Sequence, residues 1–453
     1  MGAKEFIGAS ALIVALAAGS AASAQTAPVQ AASATPQSSG LTFAGVTLYG
    51  TFDIGVANLN HGAPLSAYYG PGLPFMIQKF SNRPITSIVG NGLSQSKIGL
   101  SGVEPVNSDL SVVFKLETGF MPTSLHLADG PKSLVHSNGE PLGEQSDSGD
   151  AARAGQLFQG AAYVGVASKT WGALTWGRQN GLVLDDLIKY DPQAQSQAFS
   201  PIGYSGVAGG GGDTEDTRLN ATLKYAYARG PLRFAMLHQF ADGASNPGGT
   251  NEVDLGGDYG GLSADLVYAH VDDAIAASSL TAAQNLVHPG TLDATVSDNT
   301  TWSAQARYVW GKVKFYGGLE HMEYANPEHP LANGVVDIGG YWLSTVNDDA
   351  YAHHKLLTIS WVGARYSITP AIDLTAAWYH YNQNSYKGNG CEDSSASSCS
   401  GSLNEMSGVF DDKLNKYFDV YLGVTYSNVE NGLASGYLNR AIVGEMTGVR
   451  FNF

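Results

Sequence analysis

Apolar and polar residues alternate with a period of two along most of the chain. In the segment 46–56, valine, leucine, phenylalanine and isoleucine occupy most even positions, and polar residues and a tyrosine occupy most odd ones. Successive side chains of a β-strand point to opposite faces, so this pattern predicts a strand with one apolar and one polar face. We count about sixteen such segments, of which those near Asn251 and Glu405 are the weakest.

The connections between these segments are alternately short and long. Tight turns are expected at 229–231, 260–261, 311–312 and 369–371, and long links from about Asp273 to Asp298, Ala325 to His354 and Ser385 to Asn404. Transmembrane barrels have short turns at one end and long extracellular loops at the other. The pattern therefore predicts an all-β protein, a transmembrane antiparallel β-barrel of about 16 strands.

Aromatic residues near the predicted strand ends are expected to form girdles at the two membrane interfaces, although cross-strand pairs in a water-soluble sheet would give the same pattern. These residues are Trp302, Tyr308, Trp310, Tyr379, Tyr381, Tyr417 and Tyr426.

The N-terminal residues differ from the rest of the chain. Residues 1–24 contain Lys4, then an apolar stretch and an Ala-Ser-Ala sequence, which predicts a secretory signal peptide cut after Ala24; a buried N-terminal helix is the alternative. Residues 25–44 are rich in Ala, Ser, Thr, Gln and Pro and predict a flexible periplasmic lead-in. Residues 45–453 are then left for the barrel.

Composition narrows the class of function. Charged residues make up only 14% of the chain, and the net charge of −16 argues against a nucleic-acid partner, which would require clustered Lys and Arg. Cys391 and Cys399 are close enough to close a loop disulfide in an oxidising compartment, with a metal pair as the alternative. The adjacent His353 and His354 would point apart on a strand, so no metal site and no cofactor are predicted.

Six segments, in their order along the chain, resemble the trimeric general porins of Gram-negative bacteria from about residue 45 to the end. They are VTLYGTFDIGV (46–56), SKIGLSGVE (96–104), VVFKLETGF (112–120), AYVGVASKTWGALTWGRQ (162–179), FDVYLGVTYSNVENGLASGYL (418–438) and GVRFNF (448–453). The resemblance implies a homotrimer of sixteen-stranded barrels in the outer membrane, each with a long extracellular loop folded into the lumen. It also implies that Phe453 is the aromatic end signal read by the outer-membrane assembly machinery.

The resemblance further implies a pore constriction with basic residues on the wall and acidic ones on the inserted loop. Lys97 and Arg178 match basic wall positions, and Glu117 matches an acidic one. Strand alternation independently places Lys97, Lys115 and Glu117 in the lumen, together with Tyr49 and Asp53. Strict alternation would instead turn Arg178 towards lipid with Trp176, and an interfacial arginine is the alternative to its lumenal position.

The expected constriction loop runs from about 180 to 217, but it lacks the Pro-Glu-Phe-Gly tip of the better-known loops. Its candidate pore acids are Asp185, Asp186 and Asp191, for which solvated loop charge is the alternative.

The predicted function is passive diffusion of small hydrophilic solutes and ions through an outer-membrane channel, with a weak preference for cations suggested by net charge. The alternative is a substrate-selective channel with a sugar or organic-acid path along Tyr49, Tyr316, Tyr379 and Tyr421. An enzyme is not expected, because the run Gly203-Tyr204-Ser205-Gly206 misses the spacing of a nucleophile elbow. A secreted adhesin remains a further alternative.

Overall fold

The computed structural model describes residues 41–62, 65–69, 83–141, 145, 153–202, 218–241, 248–331, 337–338, 340–387, 396–435 and 438–453. The predicted signal peptide, residues 25–40 of the predicted lead-in and residues 203–217 of the expected constriction loop lie outside this range.

Strands make up most of the described residues. They are β1 Leu41–Phe43, β2 Val46–Leu59, β3 Ile85–Gly90, β4 Lys97–Pro105, β5 Leu110–Gly119, β6 Ala161–Ser168, β7 Gly172–Asn180, β8 Arg218–Arg229, β9 Leu232–Gln239, β10 Thr250–Tyr259, β11 Leu262–Ser278, β12 Leu292–Trp310, β13 Val313–Ala325, β14 Asp337–Ile338, β15 Tyr341–Asn347, β16 Lys355–Ser367, β17 Ile372–Gln383, β18 Gly401–Lys413, β19 Phe418–Asn431 and β20 Ala441–Asn452. The helices are α1 Gly130–His136, α2 Leu182–Tyr190 and α3 Ala282–Val287, with a 3-10 turn at Gly432–Ala434.

Sixteen strand positions form a closed antiparallel barrel. β2 pairs with β20, the last strand, and the remaining neighbours follow chain order through β4 to β13 and β16 to β20. The second position is shared, because β3 pairs with residues 54–59 of β2 and β4 pairs with residues 46–51. The strands expected near Asn251 and Glu405 are present as β10 and β18. Closure leaves the barrel without an unpaired sheet edge.

The two faces of the barrel wall differ as the alternation predicts. Leu255, Leu319 and Leu422 are among the large apolar side chains exposed on the outer face. Polar side chains such as Ser407 and Thr425 lie opposite one another on the inner face and are buried. An apolar outer surface facing lipid and a polar interior are the expected arrangement for a transmembrane barrel. No helix in the described part of the chain is long and apolar enough to cross a membrane.

Three tight turns join strands where they were expected, at Gly230-Pro231, Gly260-Gly261 and Gly311-Lys312. The first glycine of each turn has φ of +59°, a conformation that costs a residue with a Cβ atom about 1 kcal/mol or more.

The expected long loop from Asp273 to Asp298 is wrong in its extent. β11 continues to Ser278 and β12 begins at Leu292, so most of this region is a paired hairpin beyond a register shift between Val271 and Ala274. The projecting hairpin buries apolar side chains against other loops, which explains why it stays ordered as strands. The buried cluster consists of Leu134, Ile275, Leu292, Ala294, Val296, Leu343 and Val346.

The expected aromatic girdles are correct only in part. Trp302, Tyr308 and Trp310 are exposed on the outer face. Tyr379 and Tyr381, by contrast, are fully buried on the inner face, opposite Trp361 and Ile359. Their position near a strand end did not reveal which face they occupy, whereas their odd numbering in β17 did.

Candidate functional site

The segment 181–202, which follows β7, packs against the inward-facing side of the barrel wall. Its helix α2 contacts β9, β10, β11, β12 and β13. The helix is amphipathic, with Leu182, Val183 and Leu187 buried against the wall. We call residues 181–202 the inner segment.

Hydrogen bonds fix the inner segment to strands far along the barrel. The Trp361 indole donates to the Tyr190 carbonyl at 3.1 Å, and Arg365 Nη2 donates to the Pro192 carbonyl at 2.9 Å. The Tyr381 hydroxyl donates to the Pro201 carbonyl at 2.6 Å. Further contacts join Gln193 to Ser407 and Ser196 to the Gly92 carbonyl.

Close packing reinforces these bonds. A Cβ atom on Gly423 of β19 would lie 2.4 Å from the Phe199 ring. A Cβ atom on Gly363 of β16 would lie 2.4 Å from Pro192. The wall therefore has glycines where the inner segment approaches it most closely.

The three predicted loop acids have separate partners on the wall. Asp185 accepts from Asn180 and forms an ion pair with Lys224 of β8. Asp186 lies beside Asp254 and Asp265. Asp191 accepts from the Tyr379 hydroxyl at 2.5 Å and from the backbone amides of residues 193 and 195. Among the ion pairs of the described residues, none joins these acids to Lys97 or Lys115.

Burial is the largest influence on the pKa of two of these acids. Burial raises the pKa of the Asp191 carboxyl despite the hydrogen bonds it accepts. Burial and then the charge of Asp254 raise the pKa of Asp186 well above its usual range. Burial therefore disfavours the charged form of both carboxyls.

Lys97, Lys115 and Glu117 form one cluster on the inner face, as alternation predicts. Glu117 Oε2 lies 3.3 Å from Lys97 Nζ and 3.4 Å from Lys115 Nζ, and it accepts from the Tyr49 hydroxyl at 3.0 Å. Arg153 and Arg218 also interact electrostatically with this carboxylate. One anion is thus surrounded by four cations.

A second basic group lies on β12, β13 and β16. Lys314 is opposite Arg365 in the sheet and interacts unfavourably with Arg365 and Arg307. Arg307 is opposite Tyr316 on the same face. All three basic side chains are half-buried.

Most ion pairs of the inner face have the cation nearer to solvent than the acid. In the pairs of Glu117, Asp265, Asp373 and Asp419, the basic side chains are between 22% and 47% exposed, whereas the acidic ones are between 0% and 11% exposed. The pairs of Lys224 with Asp185 and of Arg233 with Asp258 have the opposite orientation. The basic partners in the first group are Lys97, Lys115, Lys189, Arg233, Lys413 and Arg450.

Arg178 lies at the end of β7, where the backbone is irregular. The register places it opposite Ala162, whereas the neighbouring Gln179 bonds to Thr175 and Thr222 on the inner face. Its guanidinium donates to the Gln159 and Arg218 carbonyls at 2.8 and 2.7 Å. The pore-wall role of Arg178 stays a prediction, with the interfacial arginine as its alternative.

The tyrosines expected along a solute path are largely withdrawn from the lumen. Tyr49 donates to Glu117, Tyr379 to Asp191, and Tyr421 to Asp53 at 2.6 Å. Tyr379 and Tyr421 are nearly inaccessible. Their hydroxyls support carboxylates of the wall and the inner segment, so they offer little surface to a passing sugar or organic acid.

Asp53 and Phe453 lie close to the seam between the first and last strands. Asp53 is fully buried and accepts from the amides of Leu93 and Ser94 at 2.8 and 2.9 Å. The backbone of Phe453 exchanges two hydrogen bonds with Gly50. Its role as an assembly signal stays a prediction. Cys399 is disulfide-bonded, and Cys391 lies outside the described residues.

Sequence reasoning missed several basic residues of the inner face. Arg233, Arg307, Lys314, Arg365 and Arg450 share the strand positions that alternation assigns to the lumen, so alternation could have found them. Arg153 and Arg218 interact with Glu117 from a loop and a strand start, where no sequence pattern predicts their direction.

The sequence of this chain is similar to those of known porins. A sequence model described as Gram-negative porin matches residues 9–432. An outer membrane porin protein of Bordetella pertussis (strain Tohama I) is 26% identical in an alignment of 262 residues, and the match covers 47% of this chain. The match covers 60% of that relative's length.

Solved structures share the fold. The anion-selective porin from Comamonas acidovorans superposes with a TM-score of 0.59 at 16% identity, covering 90% of this chain and 99% of that one. The trimer form of OmpT from Vibrio cholerae gives 0.56 at 14% identity, with 90% and 99% covered. OmpF of Salmonella typhi gives 0.51 at 16% identity, with 90% and 97% covered.

The family match extends over far more than half of the chain, and it agrees with the closed barrel, the apolar outer face and the polar interior. It confirms the expected outer-membrane location, and the family that the chain matches consists of channels and not of enzymes. The chain belongs to the Gram-negative porin family.

Proposed function

We propose that this protein is a homotrimeric outer-membrane channel for passive diffusion of small hydrophilic solutes, and that its lumen prefers anions. The inner segment narrows the lumen in this proposal, because its contacts fix it to the inward-facing side of β9 to β13 and β16 to β19. The outer face supplies the apolar surface that lipids and neighbouring subunits would cover.

The orientation of the inner-face ion pairs carries the anion preference. A mobile ion in the lumen meets the cationic ends of most of these pairs first, because their acids lie deeper in the wall. Charges that line a narrow channel with low-dielectric walls raise the local concentration of the opposite ion. The mutually repelling Arg307, Lys314 and Arg365 add to the positive potential.

The preference for cations that net charge suggests is the competing outcome. The charge of −16 counts every acid of the chain, including buried ones such as Glu117 and Asp265 that are paired within the wall. Charge accessible from the lumen, and not total charge, sets ion selectivity. We therefore infer the ion selectivity from the charges on the inner surface and not from the net charge.

The test is single-channel recording in a planar bilayer under a potassium chloride gradient. We expect stepwise conductance and a reversal potential of the sign for anion selectivity. Replacing Lys97 and Lys115 with Gln should move the reversal potential towards the cation-selective side. The control Lys416→Gln alters an exposed lysine of the turn between β18 and β19 and should leave it unchanged.

The outcomes separate the parts of the proposal. Absence of stepwise conductance from folded protein would reject the channel itself. A cation-selective reversal potential in the wild type would reject the anion preference alone. Sedimentation of the folded protein in detergent as a single chain would reject the trimer.

A further inference from the structure

Three carboxylates meet where helix α2 of the inner segment packs against the barrel wall. Asp186 lies on α2, Asp254 on β10 and Asp265 on β11, and one carboxylate oxygen from each lies within 4.8 Å of the others. Two oxygens that bind one calcium ion at about 2.4 Å can be no more than about 4.8 Å apart. The spacing of the three oxygens therefore fits a single shared cation.

Unpartnered polar atoms provide a second, independent observation. Asp186 is only 6% exposed, and its Oδ2 atom has no hydrogen-bond partner; Asp254 Oδ1 is also unpartnered. Gln305 of β12 lies opposite Asp265 in the sheet, is 3% exposed, and has neither amide atom bonded. Buried polar atoms without partners are costly, and those of native proteins usually bind water or an ion.

The basic side chains nearby compensate the negative charge of the three carboxylates only in part. Asp265 is paired with Lys189 and Arg233 and accepts from the Tyr190 hydroxyl. Arg233 is shared with Asp258, so it compensates the three carboxylates only in part. No described lysine or arginine forms an ion pair with Asp186 or Asp254.

We propose that Asp186, Asp254 and Asp265 bind one calcium ion that joins the inner segment to the barrel wall, with the Gln305 carbonyl oxygen as a further ligand. Calcium takes six to eight oxygen ligands in flexible geometry and accepts carboxylate and amide oxygens together. Magnesium prefers a strict octahedron and keeps several waters, which a nearly inaccessible set of protein oxygens suits less well. The ion would fix α2 by linking it to β10 and β11.

The experiment uses the full folded protein in detergent and terbium as a luminescent calcium probe. Tyr190 bonds to Asp265 and lies close enough to sensitise terbium emission. We expect saturable emission that calcium displaces and magnesium does not. Asp186→Asn and Asp254→Asn should each weaken calcium binding at least tenfold, whereas Asp272→Asn, an exposed acid on the strand that carries Asp265, should not change it.

Heating supplies a second measurement that does not depend on the variants. Chelator treatment of the wild type should lower the temperature at which the folded band shifts on a gel, and calcium should restore it. If millimolar calcium does not displace terbium from the folded wild-type protein, the proposal is overturned. Water would then be the partner of the unpartnered polar atoms. Unchanged affinity in both Asp→Asn variants would also overturn it, because the calcium would then bind elsewhere.

Discussion

Asp53 joins three parts of the barrel through one carboxylate. Its oxygens accept from the amides of Leu93 and Ser94, where the chain bends between β3 and β4, and from the Tyr421 hydroxyl of β19. The side chain is fully buried, so no bulk water can replace these bonds. A carboxylate that accepts several hydrogen bonds in this way orders the backbone around it.

Replacing Asp53 with Ala should destabilise the barrel, because three donors, one of them fully buried, lose their acceptor. Each donor left unpaired costs about 1–3 kcal/mol. The temperature at which the folded band shifts on a gel should fall clearly. Tyr421→Phe removes one donor and leaves the carboxylate bonded to both amides, so it should have the smaller effect. Equal stability of Asp53→Ala and wild type would contradict this role.

Alternation predicts single residues well within a regular strand and poorly where the strand is irregular. Lys97, Lys115 and Glu117 meet on the inner face as expected, because their strands keep a constant register. Arg178 lies within a register shift between Gly177 and Gln179, where alternation does not predict the direction of a side chain. The partners of Asp186 and Asp191 could not be predicted, because a loop has no periodicity that links it to distant strands.

At the scale of elements, the inner segment depends on glycines of the wall. Gly423 of β19 faces the Phe199 ring, and a Cβ atom there would lie 2.4 Å from it. Gly423→Val should push the segment away from the wall and towards the lumen, and it should lower single-channel conductance. Gly408→Val on the neighbouring strand β18 meets nothing within 4 Å and is the matched control. The same conductance in both variants would show that the segment does not limit the channel.

The projecting hairpin of β11 and β12 depends on its buried apolar cluster. Leu292 is fully buried in this cluster, and Leu→Ala in such a position costs about 2–5 kcal/mol. Leu292→Ala should make the hairpin sensitive to added protease while the barrel remains folded. Leu286→Ala changes a residue of α3 that is 87% exposed and should not alter cleavage. Resistance of Leu292→Ala equal to that of the control would show that the cluster does not order the hairpin.

Sequence patterns predicted the elements inside the membrane better than those outside it. Lipid on one side and a polar interior on the other impose a strict period of two, so the strands and three tight turns could be predicted. Residues 274–278 pair with residues 293–297 beyond the barrel, where no lipid imposes that pattern. Their order comes from contacts with Leu134 and Leu343, which are distant in sequence.

At the scale of the whole molecule, the net charge would favour cations in the lumen, whereas the charged groups that line the lumen would favour anions. The chain carries −16, but four acids of the inner face, Glu117, Asp265, Asp373 and Asp419, lie beneath basic side chains. Paired charges largely cancel at long range, and an ion inside the lumen responds to the nearer cationic ends. The proposed anion preference is thus a property of how the barrel arranges its charges and not of composition.

If the anion preference arises from charges on the barrel wall, it should depend on salt concentration. The screening length is about 10 Å at 0.1 M salt and about 3 Å at 1 M, so the influence of wall charges on ions at the lumen centre should weaken over this range. Reversal potentials measured at a constant concentration ratio should therefore approach zero as the mean salt concentration rises. Lys97→Gln with Lys115→Gln should reduce this dependence, because fewer wall charges remain to be screened. A salt-independent preference would instead indicate that ions bind at a desolvated site whose contacts are too short for salt to screen.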